Sequence, residues 1–273
     1  NEHSLLYANP CFIGLVAEHL SAQPAWLIAQ RNGEFVGLLP YLVKSGPLGT
    51  VYNSLAYYGS NGGVIQHDAD IEAKSDLVDA FYTQASINNA CSATLITNPL
   101  EKDAAFYNNI INYDYQDERI GQITHFGNID SEEDLMKLFD NPRPRNIRRA
   151  LKEGVTVEKS QSSEAIDFLY QVHKQNIDAI GGLPKDKAFF DEISKHMQNH
   201  EWAIFTAHLH GEPIAALLLF YFNRTVEYFT PATIEAHRNS QPLALIIYRA
   251  MFDATENGFI NWNWGGTWLS QGG

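Results

Sequence analysis

The strongest hydrophobic patterning in the chain lies between residues 202 and 266. Residues 202–210 form an apolar run rich in β-formers, and a second run, 213–222, follows Gly211-Glu212. Two apolar runs across a short glycine-containing gap predict a β-hairpin. Asn223-Arg224 is a second tight turn, leading into 225–230. There Val226, Tyr228 and Thr230 fall on one face and Glu227 and Phe229 on the other. Pro231 has no ladder N–H to give, so this strand is expected to bulge or end there. A polar loop, 235–240, precedes a helix over 242–257 whose apolar positions include Leu245, Ile246, Met251 and Phe252. Gly258 stops that helix, and 259–264 reads as a last strand closed by Gly265-Gly266.

The first half carries weaker versions of the same signals. Residues 10–20 have helical periodicity, and 25–30 and 35–43 form a hairpin around Asn32-Gly33. This strand, glycine turn, strand order echoes the later hairpin and suggests a repeated unit. Residues 57–63, Tyr-Tyr-Gly-Ser-Asn-Gly-Gly, mix aromatic, hydroxyl and amide groups with glycine. They suit either a loop where backbone approaches a ligand or a turn that needs positive φ. A helix is predicted over 71–88, strands over 92–97 and 120–126, and a short helix over 103–112. His125 has no evident catalytic partner and reads as structural.

Near the middle, Ser131 opens a capping-box pattern and 141–145, Asn-Pro-Arg-Pro-Arg, breaks the chain. A helix over 146–153 then lines Arg145, Arg148, Arg149 and Lys152 along one side. The stripe is either a solvated face or a seat for phosphate.

Charge sharpens the division. Of 273 residues with net charge −13, residues 1–141 hold 6 basic and 18 acidic side chains and 142–273 hold 13 and 14. We therefore expect two domains, 1–141 and 142–273. An acidic chain is a poor general nucleic-acid binder, which argues against DNA while leaving a local patch for tRNA. No apolar run is long enough for a membrane span, although peripheral membrane contact stays open. Two separated cysteines, Cys11 and Cys91, point to no disulfide framework or zinc site and fit the cytoplasm. The chain begins at Asn1 without methionine, which leaves room for a preceding segment.

The order of three antiparallel strands, a broken strand end, a loop onto a helix N-terminus and one more strand resembles the GNAT (Gcn5-related N-acetyltransferase) fold. Residues 144–155, Pro-Arg-Asn-Ile-Arg-Arg-Ala-Leu-Lys-Glu-Gly-Val, with the hairpin and the 57–63 loop, resemble the Fem-type aminoacyltransferases and the FemAB-like acetyltransferases of polysaccharide and envelope operons. The resemblance implies an α+β fold of two tandem GNAT-like domains, each a twisted, mostly antiparallel sheet flanked by helices. It implies an N-acyltransferase moving an acyl group from acyl-CoA to an amine of a sugar or peptide acceptor. An aminoacyl-tRNA donor is the alternative, and a non-catalytic glycan- or peptide-binding protein a third. No metal or tightly bound cofactor is implied.

The expected site follows. Arg238, Asn239 and Ser240, ahead of the C-terminal helix, are expected at the donor or its phosphate, with Arg145, Arg148 and Arg149 as further anion contacts. That loop lacks the glycines typical of acetyl-CoA users. Tyr228 and Thr230 are the candidate catalytic hydroxyls beside the strand break, where backbone N–H groups would polarise the donor carbonyl. Where the family often carries Thr and Arg one turn apart, this chain has His173 and Asn176. His173 is either a general base or a buried polar residue. Asn176, with Tyr57, Tyr58, Ser60 and Asn61, is expected at the acceptor.

Overall fold

A computed structural model describes residues 3–54, 62–66, 70–127 and 129–268. The chain divides into two compact units, one running to Gly121 and including the residues from Gly266 on, the other Gln122–Gly265.

The first unit holds α1 (Pro10–Leu20), β1 (Gln23–Arg31), β2 (Glu34–Gly46), β3 (Gly49–Ser54), β4 (Ile65–Gln66), α2 (Ile71–Ile87), β5 (Ser92–Leu95) and α3 (Ala104–Ile110). Its sheet runs β1-β2-β3-β5, with β4 paired to β2. The β1–β2 turn places Asn32 at φ 53° and Gly33 at φ 85°. Two successive positive φ values match the right-handed twist of a hairpin. β3 pairs antiparallel with β2 and parallel with β5, and α2 is the crossover helix between β3 and β5.

The second unit repeats that plan. After β6 (Arg119–His125), α4 (Glu132–Leu138), α5 (Arg143–Lys152), β7 (Thr156–Ser160), α6 (Ser163–Asp178) and α7 (Lys187–His196) come β8 (Trp202–Leu209) and β9 (Glu212–Phe222). β10 (Thr225–Thr233), a 3₁₀ turn Glu235–Ser240, α8 (Pro242–Glu256) and β11 (Asn261–Trp268) complete it. The sheet order is β6-β11-β10-β9-β8-β7. β8, β9 and β10 are antiparallel, α8 crosses over, and β11 lies parallel to β10. His210 and Gly211, at φ 56° and 87°, make the same kind of turn as Asn32-Gly33. Two mixed sheets of one plan, each flanked by helices, are the tandem GNAT-like arrangement.

Elements ahead of residue 141 pack with the second unit. β6 belongs to the second sheet, beside β11, and the Phe126 N–H donates to the Ile260 carbonyl. α4 is fastened to α8 by the Tyr248 hydroxyl, 2.9 Å from Glu132 Oε2. α5 starts at Arg143, before the expected 146, because a proline in the first helical turn loses no intrahelical bond. β11 does not close at Gly265-Gly266 but runs on to Trp268.

One face of the second sheet buries Phe205, Leu217, Leu219, Val226 and Trp262 against Leu245, Ile246 and Met251 of α8 and Ile147 of α5. Each such side chain contributes roughly 1.5–3 kcal/mol. That packing sets the position of the α8 N-terminus relative to β10.

Candidate active site

β10 contains the decisive irregularity. Tyr228 pairs with Leu219 and Thr230 with Leu218, so Phe229 is an extra residue, a β-bulge. Its ring lies 4.9 Å from that of Phe220 and 5.9 Å from that of Phe189, with Lys185 Nζ 5.2 Å from its centroid. The strand then continues past Pro231 to Thr233, still paired with β9. The expectation that it bulges or ends at Pro231 is corrected in position: the strand does bulge, but two residues earlier, at Phe229.

The bulge also changes which residues share a face. Tyr228 packs on the aromatic side with Trp262 and Trp264, at ring distances of 6.3 and 5.2 Å. Burial pushes its hydroxyl up to about 12. Thr230, expected beside it, is turned to the face of Glu227, where Thr225, Asn261 and Asn263 are also buried. Asn261 Oδ1 accepts from His125 Nδ1 at 2.6 Å, and the Gly265 N–H donates to Asn263 Oδ1 at 3.0 Å. His125 thus braces β6 against β11. Thr230 Oγ1 and Asn263 Nδ2 are fully buried and find no partner among the described residues. Buried polar groups of this kind are rare and call for an explanation.

β10 and β11 pair only from Thr225/Asn261 to Glu227/Asn263. Beyond Glu227 the two strands part. On the edge of β10 away from β9, the next group engaged is Thr233. Asn176 Oδ1 accepts its N–H and Asn176 Nδ2 donates to its carbonyl, both at 3.0 Å. Residues 228–232 lie between these two points, an opening of roughly 15 Å at strand rise.

At the upper end of this opening is a cavity of about 320 Å³, lined by Asn176, Pro231, Thr233, Arg238, Gln241 and the first turn of α8. Gln241 is left-handed, at φ 56°, and Pro242 follows at the first helical position. Pro242 has no N–H, and the Leu243 N–H has no backbone acceptor among the described residues. A free helix N-terminus with an exposed arginine beside it suits an anion.

The remaining expected residues are spread more widely. Ser240 hydrogen-bonds the Glu153 carboxylate, which that bond and Arg149 hold below its usual range. α5 therefore ends beside the loop before α8. Arg145 and Arg148 are exposed on α5, and Arg149 Nε donates to Glu153 at 2.9 Å. Asn239 is exposed and outside the cavity lining. His173 is buried against Phe190, its Nε2 accepting the Lys185 N–H at 3.4 Å. Burial first, then Lys185, lower it to about 4, so it is neutral at pH 7. Tyr57, Tyr58, Ser60 and Asn61 lie outside the described residues. Of that loop, Gly62 and Gly63 are described. A Cβ at Gly62 would meet the Ser54 carbonyl oxygen at 2.1 Å, and Gly63 has φ 84°. Both glycines are thus required by the unit's own backbone. Sequence reasoning missed the pairing of Asn176 with Thr233 and the buried Asn263, because neither follows from periodicity.

A parallel pair that parts beside a bulge, with a helix N-terminus at the opening, gives the second unit the expected GNAT-like fold. Residues 143–267 match the family model described as "Acetyltransferase (GNAT) domain". No curated protein matches the sequence. In particular, the fold is similar to that of FemX. FemX superposes with TM-score 0.73 at 17% identity, covering 97% of this chain and 85% of that one. L-PGS from Bacillus licheniformis gives TM-score 0.56 at 15% identity over 97% and 78%. A conserved protein of unknown function from Bacteroides thetaiotaomicron VPI-5482 gives 0.61 at 12% over 93% and 80%.

Proposed function

We propose that the protein transfers an acyl group from a phosphate-bearing carrier to an amine of a sugar or peptide used in envelope or polysaccharide biosynthesis, on the cytoplasmic side. The observation that carries this is the parting of β10 from β11 after Glu227, next to the cavity where Arg238 meets the start of α8. The carrier's phosphate would rest on Arg238 and the α8 N-terminus, and the acyl carbonyl would enter the parted strands.

The amine nitrogen attacks the donor carbonyl carbon. An N–C bond forms, the carbon–sulfur or carbon–oxygen bond to the carrier breaks, the amine loses a proton and the departing thiol or hydroxyl gains one. The Thr230 hydroxyl would hold the developing oxyanion. No covalent enzyme intermediate is needed, and Cys11 and Cys91 take no part.

Two donors fit this scheme, acyl-CoA and aminoacyl-tRNA. The loop at 237–242 has no glycine to bring backbone onto a pyrophosphate, which favours the second. Single-turnover assays with acetyl-CoA and with charged tRNA, each against a panel of amino sugars and peptides, decide it. Product with either donor supports acyl transfer. Failure of both donors, with a glycan or peptide still bound, would reduce the protein to a binding module.

A further inference from the structure

We propose that Asn176 and Pro231 are donor-specificity residues that close the free edge of β10 to pantetheine-type carriers. The inference rests on the acyl-transfer reading and names what that site turns away.

Backbone direction decides which groups an incoming carrier meets. Ile234 N–H donates to Ile214 on β9, and pairing with β9 is regular from Pro231 to Thr233. Alternate residues therefore point the other way, to the edge that faces the opening. Those residues are Pro231 and Thr233. An extended carrier with two amides, as in a pantetheine arm, binds such an edge by adding itself as a strand, giving and accepting backbone hydrogen bonds. Here Thr233 is already occupied in both directions by the Asn176 side chain, at 3.0 Å each. Pro231 has no N–H at all, so it offers this edge a carbonyl and no donor. An arm laid along this edge would keep its own amide oxygens unpaired, each at a cost of about 1–3 kcal/mol.

Both residues line the same cavity as Arg238 and the first turn of α8. The site thus keeps its anion end and loses its strand-pairing middle. It fits a carrier gripped at its phosphate and delivering the acyl group on an ester without a peptide-like arm.

The test is isothermal titration with two probes, acetyl-CoA and adenosine 3′,5′-bisphosphate, which shares the nucleotide end but has no pantetheine arm. The expected result for the unaltered protein is that acetyl-CoA binds no more than about threefold tighter than the bisphosphate, with no binding of either counting as the same result. In Asn176→Ala combined with Pro231→Val, an N–H and a free Thr233 are restored. Acetyl-CoA should then gain at least tenfold over the unaltered protein while the bisphosphate is unchanged. Acetyl-CoA binding tenfold or more above the bisphosphate in the unaltered protein overturns the proposal and leaves acyl transfer intact. So does a folded double variant, judged by circular dichroism and Tm, that gains nothing. If the double variant does not fold, the two-probe comparison on the unaltered protein decides alone. Loss of acyl transfer with every donor would sink the functional reading instead, while the two-probe comparison would stand.

Discussion

Asn176 on α6 grips Thr233 on β10 with both atoms of its amide, one accepting the N–H and one donating to the carbonyl. A side chain here does what a neighbouring strand would do, and it fixes α6 to the edge of the sheet just above the opening. Asn176→Ala leaves one N–H and one C=O of a half-buried residue dependent on water. The expected loss is about 1–3 kcal/mol, read as a lower urea midpoint at unchanged slope. An unchanged midpoint would show that the grip adds nothing to stability.

Arg238 is the cation that lines the cavity. If it holds the carrier's phosphate in ground state and transition state alike, Arg238→Ala should raise KM for the donor by about 10- to 100-fold and leave kcat nearly unchanged, the loss of one charge-assisted hydrogen bond. A fall in kcat with constant KM would move Arg238 from carrier binding to the chemical step.

Along α5, Arg145 and Arg148 are exposed, and the helix ends next to the loop before α8. A polyanionic carrier crossing this face should release counterions. Binding of uncharged tRNA to Arg148→Ala with Arg149→Ala should weaken, and its log–log salt slope should fall by about one for each phosphate left without its arginine. The Arg149–Glu153 pair is solvated, so little stability is at stake. An identical slope would leave the stripe as solvated surface.

His173 gives a pH signature in stability and none in rate. Its folded pKa, about 4, lies below the unfolded value of 6.5, because burial and Lys185 oppose its charge. The unfolded chain binds the proton more readily, so the contribution is present above pH 6.5 and is lost as pH falls toward 4. The amount is on the order of 2–3 kcal/mol. His173→Gln should flatten the stability profile between pH 6.5 and 4. Were His173 a general base, its replacement would instead remove a limb from the pH–rate profile near neutrality.

Much of this fold could be read from the chain. The Asn32-Gly33 and His210-Gly211 turns announce two hairpins, and the Pro242 to Gly258 stretch announces a helix with both ends marked. What stayed hidden was register. A single inserted residue, Phe229, reverses the face of everything after it, so alternation placed Thr230 beside Tyr228 when the strand places it with Glu227. Pro231 signalled a disturbance in the strand but not its position. The partnership of Asn176 with Thr233 joins residues far apart in sequence and leaves no periodic trace. The place of β6 was hidden for a similar reason, since it joins the second sheet beside β11, a strand more than 130 residues further on.

Thr230 separates a structural role from a chemical one. Its hydroxyl is buried, has no partner among the described residues, and sits one position after the bulge where the strands part. Valine has nearly the same shape and no hydroxyl. If the hydroxyl only fills space, Thr230→Val relieves a desolvated polar group and should be neutral or up to about 1 kcal/mol stabilising, with activity intact. If the hydroxyl is held for the oxyanion, the same substitution should keep or raise Tm while kcat drops by about 10- to 1,000-fold and donor KM stays put. A protein that becomes more stable and less active at one position is what a preorganised donor predicts. Retained kcat would take the oxyanion role away from Thr230.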